Sequence, residues 1–169
     1  MTILHTERLT LRPFAMTDVE ALHAVYSDPR AMKYWSTLPH ADVEVTKDMV
    51  ARTMAADPAK TLELAIEREG QVIGKVGLWE MPEIGYILHP DHWGRGYASE
   101  AARAVIRHGF DVLNLPKVTA DVDPDNEVSL KMLAKLGFKE TGREKNTIEI
   151  GGKWFDSIYL AVTPEGFVA

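Results

Sequence analysis

The sequence predicts an α+β domain built on a central mixed, mostly antiparallel sheet with flanking helices. Segments that alternate apolar and polar residues recur along the chain, separated by segments with apolar residues at helical spacing. Near the middle, a strand, a glycine loop, a helix and a second strand follow in order, which predicts one parallel strand pair. Apolar periodicity continues from Leu9 to Val162 without a linker, so we expect a single domain over residues 1–169.

Local patterns justify the elements of the first half. Thr17 and Glu20 fit the N-cap and N3 positions of a capping box, so a helix is predicted to begin there. Glu69-Gly70 lies between two alternating segments and predicts a hairpin turn. The predicted elements are a strand at 9–11, a helix from Thr17 to about Asp28, a helix over 42–56, and strands over 62–67, 72–79 and 84–88.

The second half begins with a strongly amphipathic segment. Residues 97–113 place their apolar side chains on one helical face, and residues 117–123 alternate as a strand parallel to the one before the glycine loop. Gly137 is positioned as the left-handed residue that ends a helix begun near Asn126. The last predicted elements are antiparallel strands over 147–150 and 154–162, joined through Gly151-Gly152.

The composition excludes several kinds of site. The chain has 169 residues, no cysteine, a net charge of −6 and a pI of about 5.5. Without cysteine there is no disulfide, thiolate zinc site, iron–sulfur cluster or cysteine nucleophile. The acidic balance argues against a nucleic-acid partner, which needs clustered Lys and Arg. No apolar stretch has the length of a signal peptide or a membrane span, so we expect a cytoplasmic protein without a membrane partner.

The glycine loop is the first candidate site. Gly94-Arg95-Gly96 precedes a predicted helix, where free backbone N–H groups and the helix dipole attract anions. Many connections use glycine only for its positive φ, so this pattern alone leaves anion binding and a plain turn both open. No dinucleotide fingerprint is present, and residues 70–75 are one residue too short for a P-loop and lie within a predicted strand.

Four segments in order resemble the GNAT acetyltransferase superfamily and, within it, the branch of RimJ/RimL-type ribosomal-protein N-terminal acetyltransferases. They are Ile84-Gly85-Tyr86, Trp93 to Ala101, Asn126 to Ser129 and Lys135 to Phe138, and the opening Thr6 to Pro13 is also similar to that branch. The resemblance covers essentially the whole chain. It implies the GNAT fold, in which the sheet splays after the strand ending at Leu88, and acetyl-CoA as the acetyl donor. Trp93 replaces the Gln or Arg common in the superfamily but is similar to the RimJ/RimL-like branch.

The resemblance also implies the contacts of acetyl-CoA. The loop Gly94 to Ser99 would hold the pyrophosphate, the strand end at Ile87 to His89 would pair with the pantetheine arm, and Asn126 would lie near that arm. Arg95 and Lys131 have the reach to contact phosphates, although solvated surface charge is the alternative interpretation. The implied contacts are Ile87, Leu88, His89, Gly94, Arg95, Gly96, Tyr97, Ala98, Ser99, Asn126 and Lys131.

Two residues carry the implied catalytic roles. Glu83 matches the Glu-Ile position that serves as general base in some members, with Glu80 in reserve; a solvated carboxylate is the alternative. Leu133 stands where many members have the acid tyrosine. Ser129 matches the serine that resembles the proposed acid of the RimJ/RimL-like branch, and its alternative role is capping a helix behind Asn126.

The amine acceptor is expected near large aromatic residues, because aromatic walls exclude water and attract cations. The candidates are Tyr34, Trp35, Trp79 and Trp154, each of which has core packing as its alternative role. His89 and His92 are three residues apart, but no carboxylate or cysteine pattern accompanies them, so no metal is expected.

Proton chemistry favours one class of acceptor. Without cysteine, direct transfer within a ternary complex is the simplest mechanism. An α-amino group, with a pKa of about 7.7–8.0, is neutral far more often than a lysine side chain at about 10.4. We therefore expect a primary-amine N-acetyltransferase whose acceptor is a protein N-terminus. The alternatives are a small amine (amino acid, polyamine or antibiotic) and a non-catalytic acyl-CoA-binding module. The two C-terminal strands offer an edge for a homodimer.

Overall fold

The computed structural model describes residues 1–169, whose strands form one eight-stranded mixed sheet. The strands are β1 Leu4–His5, β2 Thr10–Arg12, β3 Leu62–Arg68, β4 Gln71–Glu80, β5 Glu83–Leu88, β6 Val118–Val122, β7 Lys139–Ile150 and β8 Lys153–Val162. The α-helices are α1 Val19–Tyr26, α2 Val43–Ala55, α3 Tyr97–Asp111 and α4 Glu127–Lys135. Their order across the sheet is β1-β2-β3-β4-β5-β6-β8-β7. No helix has both the length and the apolar character needed to cross a membrane.

The predicted fold class is confirmed, and its central feature is a splayed strand pair. Every neighbouring pair in the sheet is antiparallel except β5 and β6. Those two strands are paired only at Glu83 and Thr119, near their amino-terminal ends. Beyond that point they diverge toward Leu88 and Val122. The sheet therefore opens into a cleft between two strands whose backbone groups are free to meet a ligand.

The apolar side chains form a separate core on each face of the sheet. The larger core packs β-strand residues such as Ile84 and Leu88 against α3 and α4. The smaller core packs α1 and α2 against the opposite face, where Ala65 and Ile87 contribute. Because side chains alternate along a strand, Ile84, Tyr86 and Leu88 belong to the α3/α4 face. By the same alternation Glu83, Gly85 and Ile87 belong to the α1/α2 face.

The helix ends at Asn126 and Gly137 agree with prediction, the helix predicted from residue 42 has Asp42 as its cap, and the start of α1 differs. Asp42 accepts hydrogen bonds from the first turn of α2, Asn126 does so for α4, and Gly137 ends α4 with a φ of 100°. Thr17 is not an N-cap, contrary to prediction. It lies inside a 3-10 turn at Met16–Asp18, and the carboxylate of Asp18 instead accepts from the backbone N–H of Ala15 at 2.8 Å.

Two strand boundaries also differ from the sequence prediction. The strand predicted at residues 147–150 begins at Lys139, because β7 pairs with β8 along most of its length despite register shifts near Gly142 and between Glu144 and Ile148. Eight mostly charged and polar residues precede Thr147, so this edge strand carries no apolar alternation there to reveal it. The short strand β1 was not predicted; it pairs with β2 through Leu4 and His5.

Candidate active site

A large cavity lies at the splay of the sheet and has a volume of about 1700 Å³. Its wall includes the divergent strands β5 and β6, the loop Gly94–Ser99, the start of α4 and the segment from Pro29 to Pro39. A pocket for one small ligand measures roughly 300–1,000 Å³. This cavity is therefore large enough to receive two substrates side by side.

The glycine loop forms one end of the cavity. Gly94 and Gly96 have φ values of 74° and 80°, a conformation that side-chain-bearing residues rarely adopt. The first backbone hydrogen bond of α3 is donated by Glu100 to the carbonyl of Gly96, so the N–H groups of Tyr97, Ala98 and Ser99 precede the helical bonding pattern. Free N–H groups at the positive end of a 15-residue helix fit a pyrophosphate.

Arg8 from the N-terminal segment holds this loop in place. Its guanidinium donates to the carbonyl of Arg95 at 2.8 Å and to Glu100 at 2.7 Å, and it lies 4.4 Å from the ring centroid of Tyr97. The hydroxyl of Thr6 also donates to Glu100 at 2.6 Å. The opening segment Thr6 to Pro13 therefore contributes to the support of the loop.

Trp93 connects the end of β5 to the glycine loop. Its indole N–H donates to the carbonyl of Leu88 at 3.0 Å, which ties the end of β5 to the residue before Gly94. Ile87 and Leu88 line the cavity beside it. Trp93 occupies the position where the superfamily often has Gln or Arg. Its hydrogen bond to Leu88 gives it a positioning contact of its own.

Glu83 lies where β5 and β6 meet, at the edge of the cavity. Its Oε2 accepts from the indole N–H of Trp79 at 2.6 Å. Partial burial raises the pKa of Glu83 above its usual value; the Trp79 hydrogen bond opposes this, while Asp121 and Glu80 add to it. A carboxylate with a raised pKa in a cleft is suited to accept a proton. Glu80, the reserve candidate, is exposed and does not line the cavity.

Ser129 lies on the opposite face of β5 from Glu83. Its hydroxyl is hydrogen-bonded to the phenol of Tyr86, and its backbone N–H donates to the side chain of Asn126 at 3.3 Å. The cap of α4 is therefore Asn126, while the hydroxyl of Ser129 is bonded to Tyr86 and makes no capping hydrogen bond. Burial raises the pKa of Tyr86 to about 12, although its hydrogen bond with Ser129 lowers it. The phenol thus keeps its proton across the neutral range.

Three of the four aromatic candidates for the acceptor side line the cavity. Tyr34, Trp35 and Trp79 do so, and Tyr34 and Trp79 are partly exposed at its rim. Trp154 does not line it, contrary to expectation. Its neighbour Phe155 lines the cavity instead, and strand alternation directs adjacent side chains of β8 to opposite faces.

Some of the implied acetyl-CoA contacts lie outside the cavity wall. His89, Arg95 and Lys131 do not line it. The ring of His89 accepts from the N–H of Asp91 at 3.1 Å, which caps the turn Pro90–His92. His89 and His92 have ring centroids 6.4 Å apart, and no group of three or more His, Asp or Glu side chains is arranged to hold a metal.

Sequence reasoning missed two features of the cavity. Tyr86 was part of a recognised motif but was given no role; its phenol is polar in an otherwise apolar strand segment, which is the signal that marks it. The other feature is a buried ion pair between Glu63 and Lys75. Lys75 interrupts a strand whose neighbours are apolar or glycine, and a charge in a predicted buried strand indicates a partner.

Comparison with known proteins agrees with this geometry. Residues 8–139 match the model of the acetyltransferase (GNAT) domain family. The N-acetyltransferase p20 of Bacillus licheniformis is 34% identical over 95% of this chain and 94% of its own length. The crystal structure of a GNAT-family acetyltransferase from Bacillus anthracis superposes with a TM-score of 0.85 at 30% identity, covering 97% of this chain and 99% of the other. The spermidine N(1)-acetyltransferase of Escherichia coli K12 is 27% identical over 94% of this chain and 88% of its own.

The family match, the splayed strand pair and the pyrophosphate-fitting loop lead to the same conclusion. GNAT acetyltransferases take their acetyl group from acetyl-CoA. This chain accordingly belongs to the GNAT family and is an acetyl-CoA-dependent N-acetyltransferase.

Proposed function

We propose that this enzyme acetylates the α-amine at the N-terminus of a peptide or protein. The environment of Glu83 carries the proposal: partial burial raises its pKa toward that of an α-ammonium group. A raised pKa eases proton transfer from any ammonium group, and for the same base the transfer from an α-ammonium at about 7.7–8.0 is less uphill than from a lysine side chain at about 10.4. Exposed apolar side chains at the cavity rim, including Leu38 and Trp79, offer contacts to the rest of a chain-like acceptor.

The acceptor enters from the α1/α2 face and the donor from the α3/α4 face. Acetyl-CoA supplies the activated acetyl group. Glu83 accepts a proton from the entering ammonium, directly or through a water, and frees the nitrogen lone pair for attack. The hydrogen bond from Trp79 holds the Glu83 carboxylate in one orientation. The amine nitrogen then bonds to the acetyl carbon, and the carbon–sulfur bond breaks as the tetrahedral intermediate collapses. The nitrogen loses its second proton in this step, which balances the proton gained by the departing thiolate, so the products are the amide, free CoA thiol and protonated Glu83.

The hydroxyl groups of Tyr86 and Ser129 donate hydrogen bonds toward the departing sulfur. Ser129 lies at the start of α4 with only 9% of its surface exposed, and both residues line the cavity. Tyr86 donates to Ser129 as Ser129 donates to the thiolate, which spreads the charge over two hydroxyl groups. This pair takes the place of the tyrosine that many family members have where this chain has the fully buried Leu133.

A polyamine is the second candidate acceptor, because several acidic residues line the cavity. Glu83, Asp121, Asp123 and Asp156 all line it. Several carboxylates facing one cavity attract a molecule with more than one positive charge. The spermidine acetyltransferases among the relatives make this candidate the one to exclude first.

Three further expectations belong to the proposal. The opening segment and Trp93 support placing the chain in the RimJ/RimL-like branch. A cytoplasmic location remains the expectation from the sequence. For a homodimer, the strand at the sheet edge is β7, and its charged residues Lys139, Glu140 and Arg143 disfavour edge-to-edge strand pairing. A dimer would therefore use another surface.

Thiol release from acetyl-CoA tests the proposed acceptor. Three acceptors are compared at equal concentration: a peptide with a free α-amine and no lysine, the same peptide with a blocked α-amine and one lysine, and spermidine. The proposal predicts a kcat/KM at least about tenfold higher for the first peptide than for the other two, because the neutral fraction of its amine is larger. A preference for spermidine would establish the second candidate, and a preference for the lysine peptide would contradict both.

A further inference from the structure

A buried ion pair lies in the cavity wall and has no part in the proposed proton transfers. Lys75 on β4 is 5% exposed, and its Nζ donates to Oε2 of Glu63 on β3 at 2.7 Å. Both residues line the cavity. Apolar residues of similar volume would generally stabilise a sheet interior as well as or better than a buried ion pair. Stability alone is therefore a weak reason for these two charges.

The pair lies on the same face of the sheet as Glu83, which is the proposed acceptor side. Glu63 is paired with Gly77 across β3 and β4, and Gly77 is paired with Gly85 across β4 and β5. Residues opposite one another in neighbouring strands share a face. Glu83 is two residues before Gly85, and two residues of strand span about 7 Å. Nζ of Lys75 reaches over Gly85, where an added Cβ would lie 3.7 Å from it, so the ammonium is about two residues of strand from Glu83, whereas Glu63 is on a strand two positions away in the sheet.

The pair has hydrogen-bonding capacity that the protein does not use. Oε1 of Glu63 is buried and accepts no hydrogen bond. The ammonium group of Lys75 has three N–H donors and makes one hydrogen bond, to Glu63. A buried polar atom without a partner costs about 1–3 kcal/mol. A ligand that offers both an N–H donor and an oxygen acceptor would satisfy both residues.

Aromatic side chains pack around the pair, and a gap remains at Gly85. The ring centroid of Trp35 lies 5.2 Å from Nζ of Lys75, and Tyr26 packs edge-on against Trp35 at 5.8 Å. A Cβ added at Gly85 would lie 3.7 Å from that Nζ and 3.6 Å from Cδ1 of Trp79. The missing side chain of Gly85 therefore leaves a path between Lys75 and Trp79, whose indole is bonded to Glu83.

We propose that the Glu63–Lys75 pair binds the backbone of the peptide acceptor, within its first two residues. Oε1 of Glu63 accepts from a peptide N–H, and Lys75 donates to a peptide carbonyl. An extended residue spans about 3.3–3.6 Å, so two residues reach from Glu83 to the ammonium of Lys75 above Gly85. A polyamine offers donors but no acceptor, so it could satisfy Oε1 of Glu63 but not the free N–H groups of Lys75. This inference rests on the proposed peptide acceptor.

A depsipeptide tests the inference with the unaltered enzyme. Replacing the first peptide N–H of the acceptor by an ester oxygen removes the donor to Glu63, and the second peptide bond is replaced in a separate substrate. One of the two depsipeptides is expected to show a kcat/KM about tenfold or more below the parent peptide, mainly through KM. Equal values for both depsipeptides and the parent would overturn the inference while leaving peptide acetylation established. Failure of the parent peptide as a substrate would instead overturn the proposed function.

An apolar replacement of the pair provides the protein side of the same test. The double variant Glu63→Leu/Lys75→Met is expected to lose the discrimination between peptide and depsipeptide and to keep the KM for acetyl-CoA. Glu67→Gln is the matched control, because Glu67 is also on β3, forms an ion pair with Arg12 at 2.7 Å, and does not line the cavity. It is expected to discriminate as the wild type does. If the double variant folds and still discriminates between peptide and depsipeptide, the pair does not bind the acceptor backbone.

Discussion

Glu83 is the residue on which the proposed proton transfer depends. Glu83→Gln keeps the size and the contact with Trp79 but cannot accept a proton, so kcat/KM for a peptide α-amine is expected to fall by about 10²–10⁴. Only the carboxylate is a base, and its pKa is raised by burial. The ratio of wild-type to variant rate should therefore be constant at neutral pH and decline as the pH falls through that raised pKa. Steady-state rates across pH measure this ratio.

Glu80 provides the control for this substitution. It is near Glu83 in the chain but exposed and outside the cavity wall, so Glu80→Gln is expected to keep at least half of the wild-type kcat/KM. Equal losses in the two variants would show that the general negative charge of this edge matters, and that Glu83 has no specific role as base.

The Tyr86–Ser129 pair is expected to act as one unit. Ser129→Ala and Tyr86→Phe should each lower kcat by about tenfold or more, because each removes one hydroxyl from the chain of donors to the sulfur. The double variant should be little worse than the more damaged single variant, since residues that act together have non-additive effects. Initial rates at saturating acetyl-CoA measure this. Fully multiplicative losses would contradict the relay, and no loss in Ser129→Ala would remove Ser129 from the mechanism.

At the residue scale, the sequence identified the residues of the site better than it identified which side chains contact each other. Glu83, Ser129 and Asn126 were singled out by motif, and all three line one cavity. The Tyr86–Ser129 hydrogen bond joins residues 43 positions apart, and the Glu63–Lys75 pair joins two strands. Such pairs depend on register and on helix packing, which local patterns do not encode. Trp154 shows the converse: its aromatic type was recognised from the sequence, but its position outside the cavity depends on the tertiary fold.

At the element scale, the loop that precedes α3 can be tested through its backbone. Gly96→Val combines a strained φ of 80° with a Cβ that would lie 3.4 Å from the guanidinium of Arg8, which supports the loop. Acetyl-CoA affinity is expected to fall at least about tenfold, because the side chain displaces the N–H groups from the pyrophosphate position. Titration calorimetry with acetyl-CoA measures the loss.

Gly70→Val is the matched control for the loop variant. Gly70 has a nearly equal φ of 79°, lies in the turn between β3 and β4, and has no atom within 4 Å of an added Cβ. Both variants pay a backbone strain of about 1–2 kcal/mol in folding stability. Only Gly96→Val should lose acetyl-CoA binding. Unchanged binding in Gly96→Val would contradict the role assigned to the loop.

The turn before α1 has a buried charged contact with a predictable pH dependence. Burial opposes ionisation of Asp18, yet hydrogen bonds from Arg12 and from the N–H of Ala15 outweigh it and hold the pKa of Asp18 below its usual range. Ionised Asp18 thus stabilises the fold above the pKa of the unfolded chain, and this stabilisation is lost as the pH falls through the folded pKa. Asp18→Asn should cost about 2 kcal/mol at pH 7.

Urea unfolding at neutral and acidic pH measures that dependence. The cost of Asp18→Asn is expected to shrink below about pH 4, where the wild-type carboxyl also becomes neutral. Asp28→Asn is the control, because Asp28 pairs with the largely exposed Arg30 and its removal should cost less at neutral pH. A cost for Asp18→Asn that stays constant with pH would contradict the ionic origin of the effect.

The predicted elements matched the structure where local chemistry was decisive. Asp42, Asn126 and Gly137 fix their helix ends through side-chain or backbone geometry that any tertiary setting leaves unchanged. Thr17 failed because Asp18 offers the turn a charged acceptor that is itself held by Arg12 on β2. The early part of β7 was missed because its pairing with β8 replaces the missing apolar alternation.

At the scale of the whole molecule, the splayed sheet separates the two proposed proton transfers. The proposed base Glu83 belongs to the face covered by α1 and α2, and the hydroxyls of Tyr86 and Ser129 belong to the face covered by α3 and α4. The two strands separate beyond Glu83 and Thr119, so a substrate in the opening can meet both faces at once. The proposed reaction needs this arrangement, because a proton leaves the amine on one side as another reaches the sulfur on the other.

The position of the acetyl group on a single peptide tests the proposed function most directly. The acceptor is a tetrapeptide with a free α-amine and one lysine, incubated with acetyl-CoA and this enzyme in the presence of equimolar spermidine, and the products are located by tandem mass spectrometry. We expect the acetyl group on the α-nitrogen of the peptide, with little on lysine or spermidine. Acetylation of spermidine or of the lysine side chain in preference to the α-amine would contradict the proposed acceptor.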